Sequence, residues 1–166
     1  YLFNGIQNNP YPGEDDVLIE SVKNIEQSPV MGASQIADRV GQALAKNTYE
    51  FIVINFANAD MLAHTGNFEA TRHGIEAIDR AFAALLPAIL EHDGILLITA
   101  DHGNAEHLVN KITSEPESRH DDSPVPLYII GNEFKNHQSS IINHKSEVTG
   151  ILSDVAPTIL ELMGIA

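Results

Sequence analysis

The sequence predicts an α/β fold, a mainly parallel sheet with helices on both faces, and three stretches of it carry that prediction. Residues 51–57 (FIVINFA) and 95–100 (ILLITA) are short, nearly continuous apolar runs. Strands buried on both faces of a parallel sheet have this pattern. Between them, from about Phe68 to Glu91, apolar residues recur with helical spacing. Strand, long helix, strand is the βαβ unit, in which the helix crosses one face and returns the chain parallel.

The elements follow in order. Tyr1, Leu2, Phe3 and Asn4 resemble the end of a strand begun upstream, so the chain is expected to start inside a larger protein. Residues 1–32 are irregular, with turns at Pro10, Pro12 and Gly13 and a solvated acidic stretch at Glu14, Asp15 and Asp16. A helix is predicted from Ser34, its N-cap, to about Lys46, with Ile36, Ala37, Val40 and Leu44 on one face. The long helix has Asn67 as its cap and Ile75, Ile78, Phe82, Leu85, Leu86 and Ile89 as its apolar stripe. Asp93 and Gly94 end it. A third apolar run covers Val125 to Ile130. A last helix begins near Asp154, holds Pro157 in its first turn and stops at Gly164. The segment from Gly103 to Pro124 has no clear periodicity, and an irregular connection of about twenty residues inside a compact pattern points to function or disorder.

Composition narrows the function. The chain has 166 residues, 43% hydrophobic and 19% charged, which suits one globular domain. It has no cysteine, so disulfides and thiolate metal sites are excluded, and a reducing, cytoplasmic setting is expected. No apolar run approaches the roughly 18 residues of a membrane span, and the opening residues lack the pattern of a secretory signal. With 23 acidic against 9 basic residues the formal charge is −14, which argues against nucleic acid or an anionic membrane as partner. The same charge would repel a phosphorylated substrate unless bound cations reverse the field locally.

Two clusters carry chemistry. Asn58 to Gly66 (NADMLAHTG) follows the first run, and Thr99 to Asn104 (TADHGN) ends the second. In open α/β sheets ligands bind at the carboxyl ends of strands, so Asp60 and His64 would face the same crevice as Asp101 and His102. Asp60 and His64 are one helical turn apart and would point the same way. Asp101 and His102 are adjacent and could serve one ion or two neighbouring ions. Carboxylate and imidazole without thiolate suit Mn, Zn, Co or Fe. Either pair alone is also ordinary turn and capping chemistry. His120, in the long connection, is the third element. His92, His137 and His144 are expected at the surface, His73 lies off its helix's apolar stripe, and His107 is a reserve ligand. No nucleophile elbow and no phosphate-binding glycine loop are present.

Residues 54–69 (INFANADMLAHTGNFE) and 98–106 (ITADHGNAE) resemble cofactor-independent (2,3-bisphosphoglycerate-independent) phosphoglycerate mutase, of the alkaline phosphatase superfamily. Residues 120–126 (HDDSPVP), the helix around 153–164 (SDVAPTILELMG) and the opening Phe3-Asn4-Gly5 and Pro10 to Asp15 are similar to segments of that family in the same order. The resemblance implies that residues 1–166 are the C-terminal portion of an alkaline-phosphatase-like metal domain, without its N-terminal half and without the family's transferase domain. It implies two divalent ions, taken as Mn2+. Asp60, His64 and His120 would hold one, and Asp101 and His102 would help hold the other. The serine nucleophile is expected upstream, so no catalytic residue is expected within this chain, which alone would be inactive. The implied substrate is phosphoglycerate, interconverted between its 2- and 3-phospho forms in glycolysis. Asp16, Asp121 and Ser123 depart from the family pattern beside the ligands, and Arg119 is the arginine nearest the site in sequence. Another phosphomutase or phosphatase of the superfamily, such as phosphopentomutase, or a metal-binding module without catalysis, is the alternative.

Overall fold

The computed structural model describes residues 4–7, 9–110, 116–117, 119–120, 122–134 and 150–165. Among these the elements are helices α1 (Ala33–Lys46), α2 (Asn58–Ala63) and α3 (Phe68–Glu91), strands β1 (Leu96–Thr99) and β2 (Leu127–Ile130), and helix α4 (Val155–Leu162). Short 3-10 turns cover Asn132–Phe134 and Leu152–Asp154.

Each helix follows from local sequence. The Asn67 side chain accepts the Ala70 N–H at 3.0 Å, which satisfies one of the orphan donors of the first turn of α3. At the other end Asp93 turns left-handed (φ 56°) and the Gly94 N–H returns to the Ile89 carbonyl at 2.8 Å. Helix α1 starts one residue before Ser34, after Gly32, and no side chain caps it, so Ser34 lies inside the first turn. Pro157 sits in the first turn of α4, where its missing N–H removes nothing.

The buried face of α3 differs from the expected stripe. Ala70, Thr71, Gly74, Ala77, Ala81, Leu85 and Ile89 are buried, whereas Ile75 is 45% exposed. Small residues on that face let α1 and α2 approach the α3 backbone closely, and contact distance decides burial more than side-chain hydropathy does. Ala37, Ala81, Leu85, Ile89 and Leu96 form the core, with Val40, Leu44, Ile54, Phe56, Phe82 and Ile130 packed on it. The Phe56 and Phe82 rings meet edge to face, centroids 5.4 Å apart.

Strands β1 and β2 pair antiparallel, Leu96 opposite Ile130 and Thr99 opposite Leu127. Residues 51–57 form no ladder. Their exposure alternates with a strand's period, Phe51, Val53 and Asn55 outward and Ile52, Ile54 and Phe56 half-buried, yet no described segment lies hydrogen-bonded along either edge. The chain is thus α/β with helices against a small sheet, and the mainly parallel order is not seen among the described residues. No helix among them is long and apolar enough to cross a membrane.

Candidate metal centre

Two structural devices bring distant residues to one place. The first is helix α2, which follows residues 51–57 directly. Asn58, 2% exposed, donates from its amide to the carbonyls of Pro29 and Val30, both at 2.9 Å, and pins the helix start. One turn later Asp60 and His64 stand on the same side, with the His64 N–H bonded to the Asp60 carbonyl at 3.1 Å. The second is the antiparallel pairing of β1 and β2. It sets the end of β1, which runs into Asp101 and His102, beside the start of β2, which follows His120.

The approach of the His120 segment depends on Gly66. This residue has φ +71°, and a Cβ there would meet the Pro116 ring at 2.9 Å. Pro116 bridges to Val109, and the Glu117 N–H donates to the Leu108 carbonyl at 3.0 Å, so the described part of the long connection doubles back on itself. Four residues after Pro116 the His120 ring reaches the end of α2.

Asp60 Oδ1 lies 3.2 Å from His64 Nε2 and 3.4 Å from His120 Nε2, and the two Nε2 atoms are 3.3 Å apart. These three form the cluster of potential metal donors found among the described residues. Donors about 2.0–2.2 Å from one divalent ion sit about 2.8–3.6 Å from each other at octahedral or tetrahedral angles. The three edges fall in that range. With both imidazoles protonated on Nδ1, three lone pairs converge, which is repulsive unless a cation or proton lies among them. The donor set therefore fits a first-row divalent ion.

Asp101 and His102 are not members of this triangle, although His102 touches it. The His102 ring stacks on the His120 ring with centroids 3.6 Å apart and planes within 10°. Its Nε2 is 3.7 Å from Asp101 Oδ1, and its Nδ1 is buried without a hydrogen bond among the described residues. Asp101 is almost fully exposed. No group of three potential donors among the described residues includes either of them. His107 does not join the triangle, His73 contacts Arg72, and His92 caps α3. His137, His144 and Asp121 lie outside the described residues. Arg119 is exposed and bonds Glu117 at 3.2 Å, holding that carboxyl below the usual carboxylate range.

Asn104 was not legible as a site residue. It is 4% exposed and donates from Nδ2 to Asp60 Oδ1 at 2.7 Å. Its place in the cluster ending β1 was the available signal, but asparagine offers no charge or imidazole to single it out.

A family model described as the metalloenzyme superfamily matches residues 1–166. A relative from Synechococcus sp. (strain JA-2-3B'a(2-13)), named 2,3-bisphosphoglycerate-independent phosphoglycerate mutase, is 40% identical over 167 residues, 99% of this chain and 31% of the relative. A relative of the same name from Francisella tularensis subsp. novicida (strain U112) is 42% identical over 168 residues, all of this chain and 31% of the relative. The chain thus spans about a third of the length of these curated relatives. Among solved structures, Leishmania mexicana phosphoglycerate mutase at low cobalt concentration superposes with a TM-score of 0.83 at 27% identity, over 99% of this chain and 32% of that one.

Proposed function

The chain belongs to the metalloenzyme superfamily, and from that membership we propose that it is the metal-holding, C-terminal portion of a cofactor-independent phosphoglycerate mutase, a glycolytic isomerase. The whole enzyme interconverts 2- and 3-phosphoglycerate through a phosphoserine whose serine lies outside these residues. The observation that carries this reading is the triangle of Asp60, His64 and His120, with edges of 3.2 to 3.4 Å, in a chain 40–42% identical to mutases of that name.

The residues have distinct tasks. Asp60 brings a single negative charge and His64 and His120 bring none, so a bound divalent cation keeps a net positive charge facing the substrate. The ion, taken as Mn2+, supplies charge stabilisation to the phosphoryl oxygens. Asp101 and His102 are half of a second site, completed by residues of the remaining polypeptide. His102 also backs the His120 ring by stacking and limits its rotation. The acidic balance of the chain is then the signature of the metal-holding part, with the substrate's cationic contacts supplied elsewhere.

The exposed apolar residues support the same division. Phe51, Val53, Leu127 and Tyr128 are 50%, 47%, 49% and 56% exposed. Phe51 and Val53 belong to a segment of strand-like exposure with no pairing partner among the described residues. The remainder of the mutase would cover it, placing residues 51–57 within a larger, mainly parallel sheet.

A chimera tests the proposal. This chain replaces the matching C-terminal third of the Francisella relative, and turnover of 3-phosphoglycerate is followed without added 2,3-bisphosphoglycerate. The chimera is expected to interconvert the two phosphoglycerates with Mn2+ present, and the 166-residue chain alone to be inactive. A folded, metal-loaded chimera that only releases inorganic phosphate would point to a phosphatase and overturn the mutase reading.

A further inference from the structure

We propose that Asn104 is a positioning residue for the metal-holding carboxylate, its amide N–H fixing Asp60 so that one lone pair of Oδ1 stays directed at the ion. This rests on the reading of Asp60, His64 and His120 as a divalent-ion site.

Asp60 Oδ1 faces three groups: the Asn104 Nδ2 at 2.7 Å, His64 Nε2 at 3.2 Å and His120 Nε2 at 3.4 Å. The amide is the closest and the only one of the three that must be a donor there, because its nitrogen carries hydrogens and no lone pair to offer. One lone pair of Oδ1 accepts it, and the other is left for a cation between the imidazoles. Asn104 Nδ2 also lies 3.4 Å from His64 Nε2, so the same side chain borders two of the three donor atoms.

The arm that carries this amide is fixed at its base. The Asn104 backbone N–H donates to Glu106 Oε2 at 2.9 Å, and its carbonyl accepts the His107 N–H at 3.0 Å. The residue is 4% exposed, so few rotamers are open to it. Its Oδ1, by contrast, is buried with no hydrogen bond among the described residues. The nitrogen end of this buried amide is spent on the ligand carboxylate, and that contact assigns the side chain to the site. Groups that hydrogen-bond metal ligands in this way orient them and tune affinity.

Cobalt(II) titration of the metal-free chain tests the assignment, reading both affinity and visible absorption. Asn104→Leu keeps the branched shape of the side chain and removes the donor. It is expected to weaken Co2+ binding by about 10- to 100-fold and to alter the d–d bands of the loaded site. The thermal midpoint of the metal-free protein should stay equal or rise, since an unsatisfied buried oxygen is removed. Asn104→Ala, which adds no bulk, must show the same loss of affinity. Wild-type affinity and spectrum in both variants, with binding abolished by His64→Ala, would overturn the role of Asn104 and leave the metal site standing. A wild-type chain that takes up no cobalt would overturn both.

Discussion

Replacing His64 with alanine lowers the divalent-ion affinity of this chain by about 100- to 1000-fold. A four-ligand structural zinc site is worth about 10–16 kcal/mol, so one donor carries roughly 2.5–4 kcal/mol, which is close to that factor in the dissociation constant. The loss should sit at the upper end here, because only three protein donors converge and two remain after the substitution. Asp60→Ala and His120→Ala should fall in the same range. His107→Ala should leave affinity unchanged, since His107 lies outside the triangle. Isothermal titration with Mn2+ or Co2+ at neutral pH measures all four. Equal affinity of the His64→Ala variant and the wild type would remove that residue from the site.

The second large effect concerns the contact that seats α2 on α3. Leu62 is fully buried, and a Cβ built on Gly74 would overlap its Cδ1. Neighbouring atoms leave no slack, since Asn58 Cβ and the Pro29 carbonyl each lie 3.4 Å from the same point. Leu62→Ala opens a cavity and should cost about 2–5 kcal/mol. Gly74→Ala overfills the contact and should cost about 1–3 kcal/mol, offset by up to about 1 kcal/mol of helix propensity. The double variant places the new methyl near the space that Leu62 vacates. Its destabilisation should fall short of the sum of the singles by about 0.5–3 kcal/mol in urea unfolding. Additive costs would mean that the two residues do not share this contact.

Much of the architecture was legible because local signals were strong. The 68–91 helix appears with both predicted ends, where the Asn67 side chain and the turn at Asp93 and Gly94 are chemically unambiguous. The core face of that helix was less legible. Periodicity weights Ile75, but Ala70, Gly74, Ala77 and Ala81 lie underneath, because smallness and not hydropathy allows helices to approach. Residues 51–57 show the limit of reading strands from apolar runs. Pairing needs a neighbour, and no described segment lies along that one.

The site divides in the same way. The four-residue spacing of Asp60 and His64 sufficed to place both on one side of α2. Nothing local in the sequence sets His120 beside them. Its position depends on the β1 and β2 register and on a glycine at 66 that lets Pro116 close in. Asp101 and His102 follow β1 as their sequence position implied, yet the ring of His102 is occupied in stacking on His120. Asn104 became visible only through a 2.7 Å bond to a residue 44 positions away.

The central claim is that Asp60, His64 and His120 hold one divalent ion. Anomalous scattering at the manganese edge, from crystals of the chain grown with Mn2+, tests it most directly. A peak is expected within the triangle, about 2.0–2.2 Å from Asp60 Oδ1, His64 Nε2 and His120 Nε2. A fully folded chain with no peak there, or with its only peak on other residues, would contradict it.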